Sequence, residues 1–261
     1  MNAQPPFALE LYLPEGDYSG PFRVTLVPTP EEPGETLEAL DYAGALDVLK
    51  LFARGVAAQL FRDDPAGPAV AMQVQSVAWL EREKRCEMVG EAKNVPAYAW
   101  LILAALLNQT HLALETLERM HVVGEGVDTP LDVDTLARLS ERDLPDPDAL
   151  PFAYDSDGID KRRNLTIEWT FTEALDEEQY HRLAEALYCW GDLVMLGGFD
   201  LTFSDEEEEL GDQGNMRRLL PNLVQFDLPD YIGDLAGFEA LLCLARYIHQ
   251  HKPGIERLSI E

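Results

Sequence analysis

Glu178-x-x-His181 and Glu118-x-x-His121 repeat the Glu-x-x-His spacing with which di-iron carboxylate proteins hold metal ions inside a helical bundle. That chemistry needs both motifs on long, inward-facing helices with two further glutamates. Glu178 falls in the capped first turn of a helix and Glu118 in a strand, so coincidence is the simpler account of both. His249 and His251 stand two apart at a helix end, where i and i+2 do not share a face; they favour the negative end of the helix dipole instead. Asp155-Ser156-Asp157-Gly158-Ile159-Asp160 looks like half a calcium loop. Setting Gly158 on the invariant glycine, however, places Ala153 at the first ligand position and Asn164 where a bidentate Glu belongs, and an Asx-rich turn accounts for the segment.

Nucleophilic and phosphate chemistry leave no signature. There is no G-x-S-x-G elbow, no G-x-x-x-x-G-K-[ST] and no G-x-G-x-x-G, and Gly197-Gly198 follows a helix without the lysine. Triads recur without shared motifs, so these absences lower the case for an enzyme without removing it. The chain is expected to be no enzyme and to need no cofactor. The most distinctive local feature is Asp205-Glu206-Glu207-Glu208-Glu209: from Asp200 to Asp212 there are seven acids and no base. A run of like charge is commonly a solvated loop, but this one joins two expected strands where a short turn would suffice, and long loops in compact domains are often functional. Asp205, Glu206, Glu207, Glu208 and Glu209 are therefore candidate partner-binding residues, with Asp155 and Asp157 next.

The elements that must position these groups follow from periodicity. Phe7, Leu9, Leu11 and Leu13 alternate as in a half-buried strand, a turn follows at Gly16 to Pro21, and Phe22 to Val27 forms a second strand, so an opening hairpin is expected. Asp41 caps an amphipathic helix reaching about Arg62. Val70 to Val74 and Cys86 to Val89 make another hairpin. Pro96 starts a helix over Ala97 to Leu112 that is apolar on almost every side and should be buried on more than one face. A closing strand lies within Leu114 to Val123.

Residues 124–163, rich in Pro and Asp, have the composition of an interdomain linker with one short helix at Val133 to Arg142. Beyond them Leu165, Ile167, Trp169 and Phe171 mark a strand, Asp176 and Gln179 a capping box, and Tyr180 to Trp190 a helical stripe. Phe199, Leu201 and Phe203 alternate; a strand around Leu223 to Leu228, a helix capped by Asp234 and a strand at Ile255 to Ile260 complete the chain. The expected fold class is α+β, with two ferredoxin-like βαββαβ units and one extra strand at the N-terminus. The boundaries are 1–123 for the first unit, 124–163 for the linker and 164–261 for the second. The shared order of elements admits a tandem duplication, although no residue-level repeat supports it. Trp79, Trp100, Trp169 and Trp190 are expected in the core rather than on a stacking platform.

The 261 residues carry 48 acids against 20 bases, a net charge of −28, yet 46% are hydrophobic, enough for a large core. Such a surface repels phosphate backbones and anionic membranes, so neither nucleic acid nor membrane is an expected partner. The N-terminus lacks a basic segment followed by an apolar one, and the longest apolar run, Ala97 to Leu107, is too short to span a bilayer. Cys86, Cys189 and Cys243 are odd in number and far apart, which fits reduced thiols and a cytoplasmic setting. Three function classes remain open. The first is an acidic binding protein that neutralises or escorts a basic partner, such as an immunity protein inhibiting a bacterial toxin. The others are an enzyme with a site built from dispersed carboxylates and histidines, and a ligand-sensing or scaffold module.

Overall fold

A computed structural model describes residues 5–29, 43–62, 67–114, 117–141, 149–156, 163–199, 201, 203, 214–231, 235–251 and 253–261. The fold is α+β, with two five-stranded mixed sheets and, among the described residues, five helices. Phe22, Val24 and Leu26 of β2 (Asp17–Pro28) and Cys86, Met88 and Ala92 of β4 (Arg85–Pro96) turn inward, as period-2 alternation requires. With β1 (Ala8–Tyr12), β3 (Ala71–Leu80) and β5 (Leu117–Gly124) they form the first sheet, in the order β1-β5-β2-β4-β3. β1 runs parallel to β5, with Leu11 opposite Val122, and every other neighbour is antiparallel.

The second sheet contains β6 (Ala153–Ser156), β7 (Arg163–Phe171), β8 (Asn215–Leu220), β9 (Leu223–Tyr231) and β10 (Ile255–Ile260), in the order β6-β10-β7-β9-β8. Again the first strand lies parallel to the last, Leu258 opposite Tyr154, and the remaining pairs are antiparallel. The helices are α1 (Ala43–Ala57), α2 (Ala97–Leu114), α3 (Val133–Ser140), α4 (Glu177–Met195) and α5 (Leu235–His249). Ala97 to Asn108 of α2 are buried without interruption, consistent with the apolar character of all its faces. The side chain of Asp176 accepts a hydrogen bond from the Gln179 N–H at 2.8 Å while Gln179 Oε1 accepts from the Asp176 N–H at 2.9 Å, closing the capping box that starts α4.

One hydrophobic cluster takes in the inner faces of both sheets together with α1, α2, α4 and α5. Trp100, Trp169 and Trp190 are fully buried within it, whereas Trp79 is half-buried and donates from Nε1 to Glu81 at 2.7 Å. The two halves meet where side chains are missing: a Cβ on Gly55 of α1 would lie 2.6 Å from Phe61 Cζ and 3.1 Å from Leu193 Cδ1 of α4. On Gly198 it would lie 2.6 Å from Leu106 Cδ2 and 3.0 Å from the Leu193 carbonyl oxygen.

Three expectations are corrected. β1 and β2 do not form a hairpin, because β5 lies between them and takes the hydrogen bonds of both. Phe199 and Leu201 belong to a turn after α4, both side chains buried, and not to a strand; the hairpin partner of β9 is β8, joined to it through Pro221-Asn222. The acidic run therefore precedes a hairpin instead of lying inside one. Finally, residues 124–163 hold α3 and also β6, which enters the second sheet, so both halves carry an added first strand. The helix caps expected at Asp41 and Asp234 lie outside the described residues.

Candidate functional site

The chain leaves α1 through Gln59, whose φ of 64° is unusual for a residue with a side chain. Its buried amide offsets that cost by bonding both backbone groups of Val70: Nε2 donates to the Val70 carbonyl at 2.7 Å, and the Val70 N–H donates to Oε1 at 3.2 Å. This clamp ties the end of α1, which lies beside α4 and the last turns of α5, to the stretch that leads into β3. Between the three helices lies a cleft of about 680 Å³. Phe171, Leu175, Leu183, Ala186, Leu244 and Ile248 give it apolar walls, and Arg54, Gln179, Arg182, Glu185, Tyr247 and His251 supply the polar groups.

The polar groups fall into two ends. At one, Arg54 pairs with Asp192 at 3.6 Å. Burial pushes the Asp192 carboxyl above its ordinary range, against the opposing pull of Arg54. The Cys189 thiol in the cleft wall is pushed up to about 12, chiefly by burial. At the other end Arg182 bonds to Glu178 one turn earlier on α4, which raises its pKa further, and Tyr247 lies within its electrostatic reach. The Tyr247 ring has the Arg62 guanidinium 5.0 Å from its centroid and the His251 ring at 4.6 Å. His251 Nδ1 lies 2.8 Å from the Tyr247 carbonyl oxygen. Arg62 is only 4% exposed and donates from Nη2 to the Gly67 carbonyl oxygen; its Nε has no hydrogen-bond partner, and among the described residues no carboxylate pairs with it.

Of the seven acids singled out in the sequence, Asp205, Glu206, Glu207, Glu208, Glu209 and Asp157 lie outside the described residues. Asp155 sits on β6 at the edge of the second sheet and is paired with Arg257 of β10, whose Nε donates to it at 2.7 Å, so its charge is already matched within the fold. A second acidic surface has Glu15, Asp17, Glu125, Asp128, Asp132 and Asp134 exposed around the β1–β2 turn and the start of α3. It is held together by the Leu131 N–H donating to the Leu11 carbonyl at 2.8 Å, the Glu125 N–H donating to Tyr18 Oη at 2.7 Å, and the Arg138–Glu15 ion pair at 2.9 Å. A bond from the Thr135 N–H holds the Asp132 carboxyl below its ordinary range.

The two Glu-x-x-His pairs do not form a joint site. On β5, Glu118 is exposed where the pairing with β2 slips register, and His121 packs edge-on against Tyr12 at 5.1 Å. Glu178 is spent on Arg182. Among the described residues no three His, Cys, Asp or Glu side chains converge as metal ligands, and no helix is long and apolar enough to cross a membrane. Cys86, Cys189 and Cys243 are buried and form no disulfide with one another, and burial also pushes Cys86 up to about 12. The cleft was not visible in the sequence, since Arg54, Arg182 and Tyr247 come from three helices and none sits in a motif. No family model, curated protein or solved structure matches the chain.

Proposed function

We propose that the chain is an acidic binding protein that neutralises or escorts a basic partner protein, acting in the cytoplasm as an immunity protein does when it inhibits a bacterial toxin such as a nuclease effector. The observation that carries this reading is the net charge of −28 on a chain with an extensive core. A nuclease presents cations to hold phosphates, and carboxylates on an inhibitor can stand in for those phosphates. The exposed acids at Glu15, Asp17, Glu125, Asp128, Asp132 and Asp134 support a second contact surface beside the proposed binding residues Asp205 to Glu209, Asp155 and Asp157. The role is non-catalytic, and nucleic acid and membranes are not partners.

The identical strand order of the two sheets supports the finer reading of two ferredoxin-like units, 1–123 and 164–261, that arose by duplication, with an added parallel strand in each sheet, β1 within the first unit and β6 ahead of the second. The decisive experiment is co-purification from the native host, identification of the basic protein retained, and expression of that protein with and without this chain. Immunity requires growth to be restored by co-expression. If the retained protein is toxic and the chain does not relieve its toxicity, the immunity reading fails.

A further inference from the structure

We propose that the cleft between α1, α4 and α5 binds a small organic monoanion, a carboxylate carried on an apolar body, and that Arg182 receives the carboxylate. The proposal does not depend on the basic-partner reading. At about 680 Å³ the cleft lies within the range of roughly 300–1,000 Å³ usual for small-molecule sites. Leu175, Leu183, Ala186, Leu244 and Ile248 with Phe171 can cover an apolar body from several sides.

Charge selects the head group. The cleft lining carries Arg54 and Arg182 beside Glu185, and each arginine has a carboxylate partner outside the lining, Asp192 and Glu178. The two arginines are not equivalent: Asp192, the partner of Arg54, stands ten positions beyond Arg182 on α4, a separation of about 15 Å at 1.5 Å per residue. The Arg54 end is neutralised by a half-buried carboxylate. At the Arg182 end, Glu178 occupies part of a five-donor guanidinium whose side chain is 70% exposed, leaving donors free to turn toward the cleft. Arg62 does not line the cleft and reaches it only through the Tyr247 ring, on which its guanidinium packs, so the carboxylate is assigned to Arg182 alone. A single negative charge is preferred because a polyanion such as a nucleotide would be repelled more strongly by the net −28 of the chain.

The test uses the full chain and two probes of equal length, sodium decanoate and decan-1-ol, in isothermal titration calorimetry. Decanoate should bind saturably at one site, and decanol at least about tenfold more weakly, the difference that losing one charge-assisted hydrogen bond makes. Arg182→Gln should weaken decanoate about tenfold and leave decanol unchanged, while Arg257→Gln, at the edge of the second sheet and outside the cleft, should leave both unchanged. Arg182 is an exposed side chain, so the variant should stay folded, and its melting curve checks this. Equal binding of decanol and decanoate, undiminished decanoate binding by Arg182→Gln, or no saturable decanoate binding would each overturn the proposal.

Discussion

The two sheets share a strand order, but the connection that leads from the first helix of each half to its first hairpin is built in opposite ways. From α1 to β3 the chain is pinned: Gln59 bonds both backbone groups of Val70, and Arg62 is buried against Tyr247 from the other half. From α4 to β8 the corresponding stretch, residues 196–214, begins with the buried turn at Phe199 and then carries the acids Asp205 to Glu209. The same topological slot thus accepts a short polar clamp or a long acidic insertion. Doubling a loop costs only about 0.6 kcal/mol of closure entropy, so the fold tolerates the longer connection without requiring its charge. Side chains that the fold does not require are available for function, and the contrast turns into measurable differences.

The clamp should be the more sensitive of the two connections. Gln59→Leu removes the partners of the Val70 N–H and carbonyl and leaves buried polar groups unpaired, each worth about 1–3 kcal/mol. The urea midpoint should fall accordingly, and an unchanged midpoint would mean that solvent satisfies Val70. Gly55→Val probes the contact between halves, where a Cβ already meets Phe61 and Leu193; a loss of about 1–3 kcal/mol is expected from overpacking. If one hydrophobic cluster unites the halves, both should melt in a single transition in this variant. Two separate transitions would show that the halves fold independently. Limited proteolysis of the native protein complements this: cleavage first within 124–163 supports two units, and cuts confined to the termini count against them.

Much of the fold was legible because burial leaves a period in the sequence. β7 alternates at Leu165, Ile167, Trp169 and Phe171, and the capping box at Asp176 and Gln179 marks the start of α4 to the residue. The edge strands of the second sheet leave no such trace. β6 has no fully buried residue and β8 has only Met216, so neither shows alternation, and both escaped notice. Phe199 and Leu201 failed in the reverse direction: both are buried in a turn, and burial at i and i+2 imitates a strand. The pairing of β1 with β5 was hidden for another reason, since periodicity reports which face is buried and not which strand is the neighbour. The cleft suffers from the same limit, because its chemistry exists only where three helices converge.

Smaller effects sharpen the comparison. Asp176→Ala should cost about 1 kcal/mol through loss of the cap of α4. At the junction of the halves, the Asp192 carboxyl is raised above its unfolded value of 3.8 by burial. The folded state therefore binds that proton more tightly than the unfolded state. Its contribution to stability is present at low pH and lost as pH rises through the raised value. Asp192→Asn should gain stability relative to the native chain across that rise, with the Arg54 ion pair limiting the gain; a difference independent of pH would remove burial as the governing influence. The buried thiols make a matching check: with Cys86 and Cys189 at about 12 and Cys243 also buried, native labelling should be slow at all three, and rapid only after unfolding.

The smallest stability change should accompany the largest change in charge. Replacing Glu206, Glu207, Glu208 and Glu209 with Gln removes four of the 48 acids, and for the solvated loop that a run of like charge predicts, each substitution shifts stability by less than about 0.5 kcal/mol, so the melting curve should move little. Association with a basic partner is where the effect should appear. Complementary charge raises the encounter rate, and salt screens it over a Debye length of about 8 Å at physiological ionic strength, so the substituted chain should associate more slowly and with a flatter salt dependence. A substituted chain that keeps both the rate and its salt dependence would reduce the run to a solvated connection. The exposed acids around the start of α3 would then be the next surface to neutralise, ahead of Asp155, which Arg257 already compensates.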